Sequence, residues 1–139
     1  MVRVRRAVPA DIDRLIQIRG AVHENRLGDP SSVTRADYDD FVGRGLVWVA
    51  EAAAVIAGFA AGDDRDGTVW ALFLDPAQQG QGFGRALLDR VTADLFAAGY
   101  RRIRLSTDPG TRAEAFYLRR GWTRMGLDDA GEVVFTLDA

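Results

Sequence analysis

Seven consecutive residues at positions 79–85, with the sequence QGQGFGR, have the composition of a phosphate-binding loop. They follow an apolar segment at residues 68–74 that is typical of a strand, and they precede a helix predicted for residues 86–98. Three alternate glycines allow the backbone to turn tightly, so that several N–H groups can point at one anion. The N-terminus of the following helix adds its partial positive charge. The spacing therefore predicts a binding site for an anionic cofactor.

Two common phosphate loops do not match this segment. A Walker loop needs a lysine before Ser or Thr, and the chain contains no lysine, since all 18 of its basic residues are arginine. A dinucleotide-binding fingerprint has its third glycine one position later and opens a parallel strand-helix-strand unit. The pattern that remains is Q-x-x-G-x-G, formed by Gln79, Gly82 and Gly84.

The composition favours a small globular enzyme. With 139 residues, 47% of them hydrophobic and 27% charged, the chain suits one domain at residues 1–139 that buries about two thirds of its unfolded surface. The net charge of −2 disfavours nucleic acid as a partner. The lack of cysteine and the single histidine, His23, argue against a metal site and a thiol nucleophile. No apolar run approaches the length of a membrane span, so we expect no membrane association and a cytoplasmic location.

Strand and helix patterns alternate along the chain without a linker. Pro9 opens the first helix, Thr34 with Asp37 three residues later is a plausible capping box for the second, and Asp66-Gly67 signals a hairpin. A turn is also expected at residues 52–54, although these three alanines include none of the residues that usually form turns. The predicted elements, in order, are a strand at 2–8, a helix from Pro9, a helix at 34–42, strands at 46–51, 55–62 and 68–74, a helix at 86–98, a strand at 101–106, a helix at 111–120, and strands at 122–127 and 132–138.

In this order of elements and in two motifs, the chain resembles the GNAT superfamily of N-acetyltransferases. The first motif is Q-x-x-G-x-G, and the second is A-x-x-F-Y-x-x-x-G-W, which begins at Ala113 and ends at Trp122. The resemblance implies an α/β (α+β) fold with a mixed, mostly antiparallel sheet of six to seven strands flanked by about four helices. It also implies acetyl-CoA as the acetyl donor and no metal. One departure is Gly110, because many members have asparagine there, in contact with the pantetheine arm.

Acetyl transfer from a thioester to an amine requires a held donor, a stabilised oxyanion, a base for the amine and an acid for the thiolate. The resemblance implies that the backbone N–H of Leu72 stabilises the oxyanion, at a point where two strands separate. Tyr117 is the candidate acid, because proton transfer from a phenol to an alkyl thiolate in water is uphill by only about 2 kcal/mol. Alternatively, Tyr117 is a core residue that packs on the buried face of its helix. The expected cofactor-binding residues are Leu72, Phe73, Leu74, Gln79, Gly80, Gln81, Gly82, Phe83, Gly84, Arg85, Thr107, Gly110, Ala113, Phe116 and Tyr117.

The reaction also needs a general base that takes a proton from the amine. Some relatives use a glutamate on the strand before the glycine loop, but the corresponding residue here is Thr68, which cannot accept the proton. Glu24 is the candidate base, and a chain of water molecules is an equal alternative. The expected acceptor-binding residues are His23, Glu24, Asn25, Arg26, Tyr38 and Trp70. Acids outnumber arginines between residues 21 and 40, which predicts a cationic amine, unless Arg26 turns into the pocket and binds a carboxylate.

Two classes of function fit these residues. The first is an N-acetyltransferase that joins acetyl-CoA and a primary amine of a small molecule in a ternary complex, with a protein N-terminus or lysine as the alternative acceptor. The second is a catalytically silent module that binds acyl-CoA as a sensor or regulator. Tyr117 favours the enzyme, and a homodimer is compatible with either class.

Overall fold

The computed structural model describes residues 2–21, 33–78 and 80–139. Within these residues the chain forms seven strands and four α-helices, and no helix is long and apolar enough to cross a membrane. In chain order the elements are β1 (Val2–Arg6), α1 (Ile12–Ala21), α2 (Arg35–Gly43), β2 (Val47–Ala52), β3 (Val55–Asp63), β4 (Thr68–Leu74), α3 (Phe83–Ala97), β5 (Arg102–Thr107), α4 (Arg112–Arg119), β6 (Thr123–Leu127) and β7 (Val133–Asp138). Short 3-10 helices at Pro9–Asp11 and Pro76–Gln78 precede α1 and follow β4.

The strands form one sheet in the order β1-β2-β3-β4-β5-β7-β6. Neighbouring strands are antiparallel except for β4 and β5, which run parallel. A mixed and mostly antiparallel sheet of this size confirms the predicted fold class. Because the chain crosses from β4 to β5 through α3, the glycine loop lies at the carboxyl end of β4, beside the parallel pair.

Side chains of the central strands alternate between two hydrophobic cores, one on each face of the sheet. Phe59 and Phe73 point to the face covered by α1 and α2. Ala60 and Leu72 point to the opposite face, where α3 packs with residues of α4. The α3 side chains in this second core recur at helical spacing and are all buried: Leu87, Leu88, Val91 and Leu95.

The ends of most elements lie within two residues of their predicted positions, and the starts of α1 and α3 each differ by three. The helix predicted from Pro9 begins as a 3-10 turn at Pro9–Asp11, and α1 starts at Ile12. The other difference is at α3. This helix begins at Phe83 and not at the predicted residue 86, so the last residues of the glycine motif form its first turn. The predicted capping box of α2 is confirmed, since the Asp37 N–H donates to Thr34 Oγ1 and the Thr34 N–H donates to the Asp37 carboxylate. The poorly encoded turn places Ala53 and Ala54 in the left-handed region, which glycine would usually occupy.

Candidate active site

β4 and β5 are neighbours that separate along their length. Their described pairing is Thr68 opposite Arg104, near the start of β4, and the Arg104 N–H also donates to the carbonyl oxygen of Gly67 at 3.0 Å. Beyond this pair a cleft of about 380 Å³ opens between the strands. The cleft is lined by Arg19, Asp66, Thr68, Val69, Trp70, Ala71, Leu72, Phe73, Arg104, Leu105, Ser106, Thr107, Tyr117 and Glu132. Its wall therefore combines Arg19 from one face of the sheet with Tyr117 from the other.

Part of the β4 backbone faces this cleft with no strand partner among the described residues. The Asp75 N–H donates to the carbonyl oxygen of Ala57 at 2.8 Å, so Asp75 faces β3. Residues along an antiparallel ladder face the partner strand alternately, and the register from here back along β4 is uninterrupted as far as the bulge at Trp70. Phe73 therefore turns its N–H and C=O to β3. Leu72 and Leu74 turn theirs to the opposite edge of β4, where β5 has separated.

A β-bulge interrupts β4 at the closed end of the cleft. Ala71 lies opposite Ala61 of β3 and Val69 lies opposite Gly62, so Trp70 has no partner in the register. A bulge increases the local twist and redirects side chains. The strand leaves its neighbour β5 just after this point, and the Trp70 ring turns to the face of the sheet that α1 and α2 cover.

The loop after β4 leaves amide groups available at the start of α3. Gly80 and Gly82 have φ values of 83° and 82°, and a Cβ on either would meet no atom within 4 Å. Gly82 is the N-cap of α3 and has no side chain to cap the helix, and the first bond along the helix is from the Ala86 N–H to the Gly82 carbonyl oxygen at 3.2 Å. The N–H groups of residues 83–85 therefore lack intrahelical acceptors, as expected at a helix N-terminus.

The other residues of the motif differ in their surroundings. Phe83 is buried in the core, and a Cβ on Gly84 would lie 3.5 Å from both Leu74 Cδ1 and Phe116 Cζ. Gly84 thus faces the protein interior, although its N–H belongs to the free helix end. The exposed residues are Gln81, whose side-chain amide donates to Gln78 at 3.2 Å, and Arg85. Gln79 lies outside the described residues.

Tyr117 is buried within an aromatic cluster and reaches the cleft. Its ring centroid lies 5.3 Å from that of Phe116, 5.9 Å from that of Trp122 and 5.6 Å from that of Phe135. Burial raises the pKa of its hydroxyl well above the ordinary value. The position thus satisfies both interpretations drawn from the sequence: the ring packs in the core, and the side chain also forms part of the cleft wall.

The segment between β5 and α4 carries the rest of the second motif. Thr107 is buried at the end of β5 and lines the cleft. The N–H of Gly110 donates to the Glu114 carboxylate at 2.6 Å, and this hydrogen bond, with Arg124 beside it, lowers the pKa of Glu114. The Gly110 amide is therefore committed to the start of α4. Ala113 packs with Phe116 on the α3 side of the sheet.

Two of the expected acceptor-binding residues meet beside the cleft. Trp70 stacks on Phe41 with ring centroids 4.0 Å apart, and it packs edge-on against Tyr38 at 5.6 Å. Burial raises the pKa of the Tyr38 hydroxyl, while the charge and hydrogen bond of Arg19 act in the opposite direction. The other expected residues of this group lie outside the described residues: His23, Glu24, Asn25 and Arg26.

Two cleft residues, Arg19 and Glu132, were not predicted from the sequence. The guanidinium of Arg19 lies 4.6 Å above the Phe73 ring. Burial, followed by the negative charge of Asp128 and Asp108, raises the pKa of Glu132. A signal for Arg19 does exist, since it is four residues after Leu15 and so falls on the buried side of α1. No comparable pattern marks Glu132, which lies between β6 and β7, directly before Val133.

Comparisons with known proteins agree with this geometry. The family model described as acetyltransferase (GNAT) family matches residues 12–122. The chain is 36% identical over 84 residues to serotonin N-acetyltransferase 2, chloroplastic, of Oryza sativa subsp. japonica, a match that covers 55% of the chain and 41% of that protein. It is 40% identical over 66 residues to mycothiol acetyltransferase of Beutenbergia cavernae, covering 47% of the chain and 22% of that protein. The chain thus spans less than half the length of these relatives.

Solved structures share the fold over the whole chain. PaiA N-acetyltransferase from Thermoplasma acidophilum, in complex with coenzyme A, superposes with a TM-score of 0.80 at 16% identity and covers 100% of this chain and 99% of its own. The yncA protein from Salmonella typhimurium, with its cofactor acetyl-CoA, gives a TM-score of 0.76 at 22% identity, with 99% and 94% coverage. At these identities the likeness establishes the fold.

The chain belongs to the GNAT acetyltransferase family, because the family model covers most of its length. Members of this family are acetyltransferases that take acetyl-CoA as their donor. The predictions of family, fold class, enzyme class and acetyl donor are therefore confirmed.

Proposed function

We propose that residues 1–139 form one cytoplasmic N-acetyltransferase domain that transfers the acetyl group of acetyl-CoA directly to a primary amine of a small molecule in a ternary complex. The observation that carries this proposal is the cleft between β4 and β5, because it passes between the two faces of the sheet. A donor held on the α3 side can meet an acceptor on the α1 side within it. A homodimer is compatible with the proposal.

The donor is held in this proposal by backbone groups. The free N–H groups at the start of α3, together with Gly80 and Gly82, bind the pyrophosphate, and the exposed Arg85 adds a positive charge. The unpaired edge of β4 at Leu72 and Leu74 pairs with the pantetheine amides in the manner of an added strand. Phe73 supports this edge through its bonds to β3 and its ring in the core.

The reaction needs an oxyanion donor and an acid, and the cleft offers a candidate for each. The N–H of Leu72 faces the cleft and is assigned to the oxyanion. Tyr117 is assigned to the proton that the departing thiolate takes up. Its raised pKa makes it a weaker acid than free tyrosine, but the same burial raises the pKa of a thiol beside it, so the two values move together. Glu24, outside the described residues, remains the predicted base, with a chain of water molecules as the equal alternative.

The test is release of free CoA with a panel of amines, measured by a thiol reagent, alongside calorimetry of acetyl-CoA binding. Saturable binding with turnover of at least one small amine is expected. Acetylation of peptides alone would favour a protein N-terminus or lysine as acceptor. Binding without turnover of any acceptor would instead favour the acyl-CoA sensor.

A further inference from the structure

The Arg19 guanidinium packs against two aromatic rings in the cleft wall, and one of its nitrogens has no partner within the described ranges 2–21, 33–78 and 80–139. Its Cζ atom lies 4.6 Å from the centroid of the Phe73 ring and 5.8 Å from that of Trp70. The Tyr38 hydroxyl lies near enough for the charge of Arg19 to oppose the rise of the Tyr38 pKa that burial causes. Nη1 is buried and has no hydrogen-bond partner among the described residues. An unpaired buried donor on a charged group is costly, and a carboxylate is the ligand that the planar guanidinium fits best.

The charges of the cleft are balanced and separated. Among the described residues its charged side chains are two arginines, Arg19 and Arg104, and two acids, Asp66 and Glu132. Asp66 already accepts hydrogen bonds from the Thr68 N–H at 3.1 Å and the Thr68 hydroxyl at 2.7 Å. Glu132 comes from the β6–β7 turn beside β5, whereas Arg19 comes from α1 beside β4. A ligand that carries one charge of each sign matches this distribution.

We propose that the acceptor is an amine with its own carboxylate, an amino acid in the broad sense, whose carboxylate binds Arg19 and whose amine lies toward Glu132. The inference rests on the proposed acetyltransferase function and specifies its substrate class. It departs from the expectation of a purely cationic amine, which was drawn from acids between residues 21 and 40. Arg19 is the specificity-determining residue in this proposal.

The first experiment compares matched acceptors in the thiol-release assay. The panel contains α-, β- and γ-amino acids, the amide of each and the corresponding amine without a carboxyl group. We expect at least one amino acid to be preferred over its amide by about 10- to 100-fold in kcat/KM, the range for one charge-assisted bidentate contact. Arg19→Gln should remove this preference, and Arg19→Lys should restore part of it.

Two further variants separate recognition of the carboxylate from other effects. Arg104→Gln removes the same charge from the same cleft and should leave the preference for the amino acid intact. Glu132→Gln should lower kcat/KM for the amino acid and for its amide by the same factor, because both acceptors retain the amine. If Arg19 only packs against Phe73, Arg19→Gln should lower the stability of the protein and should change kcat/KM for the amino acid and for its amide by the same factor. That result would overturn the inference.

A binding measurement gives a readout that does not depend on turnover. Because Trp70 lies beside Arg19, its fluorescence should change on titration with the preferred amino acid, with or without CoA present. The change should be absent in Trp70→Phe and about 10-fold weaker in Arg19→Gln. Equal responses to amino acid and amide, no response, or acetylation confined to amines without a carboxylate would each overturn the inference. Failure of acetyl-CoA to bind would count against the proposed function, and the titration would still decide the role of Arg19.

Discussion

The two glycines of the Q-x-x-G-x-G motif should respond in opposite ways to the same substitution by alanine. Gly82 has a φ of 82°, so an alanine there costs about 1 kcal/mol in backbone strain, although its Cβ would meet nothing within 4 Å. Gly84 lies within α3, and an alanine Cβ would make ordinary contacts at 3.5 Å with Leu74 and Phe116. At Gly84 alanine should stabilise the helix by up to about 1 kcal/mol.

The expected difference in unfolding free energy between Gly82→Ala and Gly84→Ala is therefore about 2 kcal/mol. For a domain of this size that corresponds to melting temperatures about 6 °C apart, which thermal unfolding resolves easily. Affinity for acetyl-CoA should also differ between the two variants, with Gly82→Ala the weaker binder. The new methyl group of Gly82→Ala occupies open space beside the free N–H groups, and loss of one charge-assisted hydrogen bond weakens binding by about 10-fold or more.

Calorimetry with acetyl-CoA on both folded variants is the decisive assay. Gly84→Ala should bind within about 3-fold of the unchanged protein, less than the loss of a single hydrogen bond. Unchanged affinity in Gly82→Ala together with a large loss in Gly84→Ala would refute the placement of the phosphates at the start of α3. It would indicate that the ligand passes on the side of Gly84 that faces Phe116.

Three other changes test separate parts of the structure. Tyr117→Phe should fold and bind acetyl-CoA but turn over about 10- to 1,000-fold more slowly, and because its pKa is raised, this group should cause no alkaline loss of rate below about pH 10. Asp11→Asn should cost about 1 to 2 kcal/mol of stability at neutral pH, because Arg5 donates to both carboxylate oxygens of Asp11 at 2.8 and 3.1 Å. Gly58→Ala should cost about 1 to 3 kcal/mol, since its Cβ would lie 2.8 Å from the backbone carbonyl oxygen of Phe73 and would also press on the Leu74 side chain.

Each of these has a measurement that decides it. If Tyr117→Phe turns over as fast as the unchanged protein, Tyr117 is not the acid and its ring only packs in the core. The pKa of Asp11 is lowered from 3.8 in the folded state, so its contribution is present above that pH and is lost as the pH falls through the folded value. The difference in unfolding free energy between Asp11→Asn and the unchanged protein, measured by urea denaturation, should therefore shrink as the pH falls below about 4. A difference that does not depend on pH would contradict the assignment. Gly43→Ala, where a Cβ meets nothing within 4 Å, is the control for Gly58→Ala.

The local features of this protein could be predicted from the sequence because neighbouring residues determine them. Helical spacing located α3, the capping box at Thr34 located α2, and alternate glycines between a strand and a helix located the phosphate loop. Two motifs and the order of the elements were enough to identify the family. The acetyl donor followed from that identification.

Only the tertiary structure determined how these parts form a cleft. The separation of β4 from β5 depends on how strands distant in sequence pair, and the alternation that turns Leu72 toward the cleft depends on the register with β3. Gly82 and Gly84 are equivalent in the motif, yet packing places a Cβ of one in open space and of the other against the core. Arg19 and Glu132 are remote in the chain, and folding brings both to one cleft. Burial, which no local pattern specifies, then shifts the pKa of Tyr117 and of Glu132.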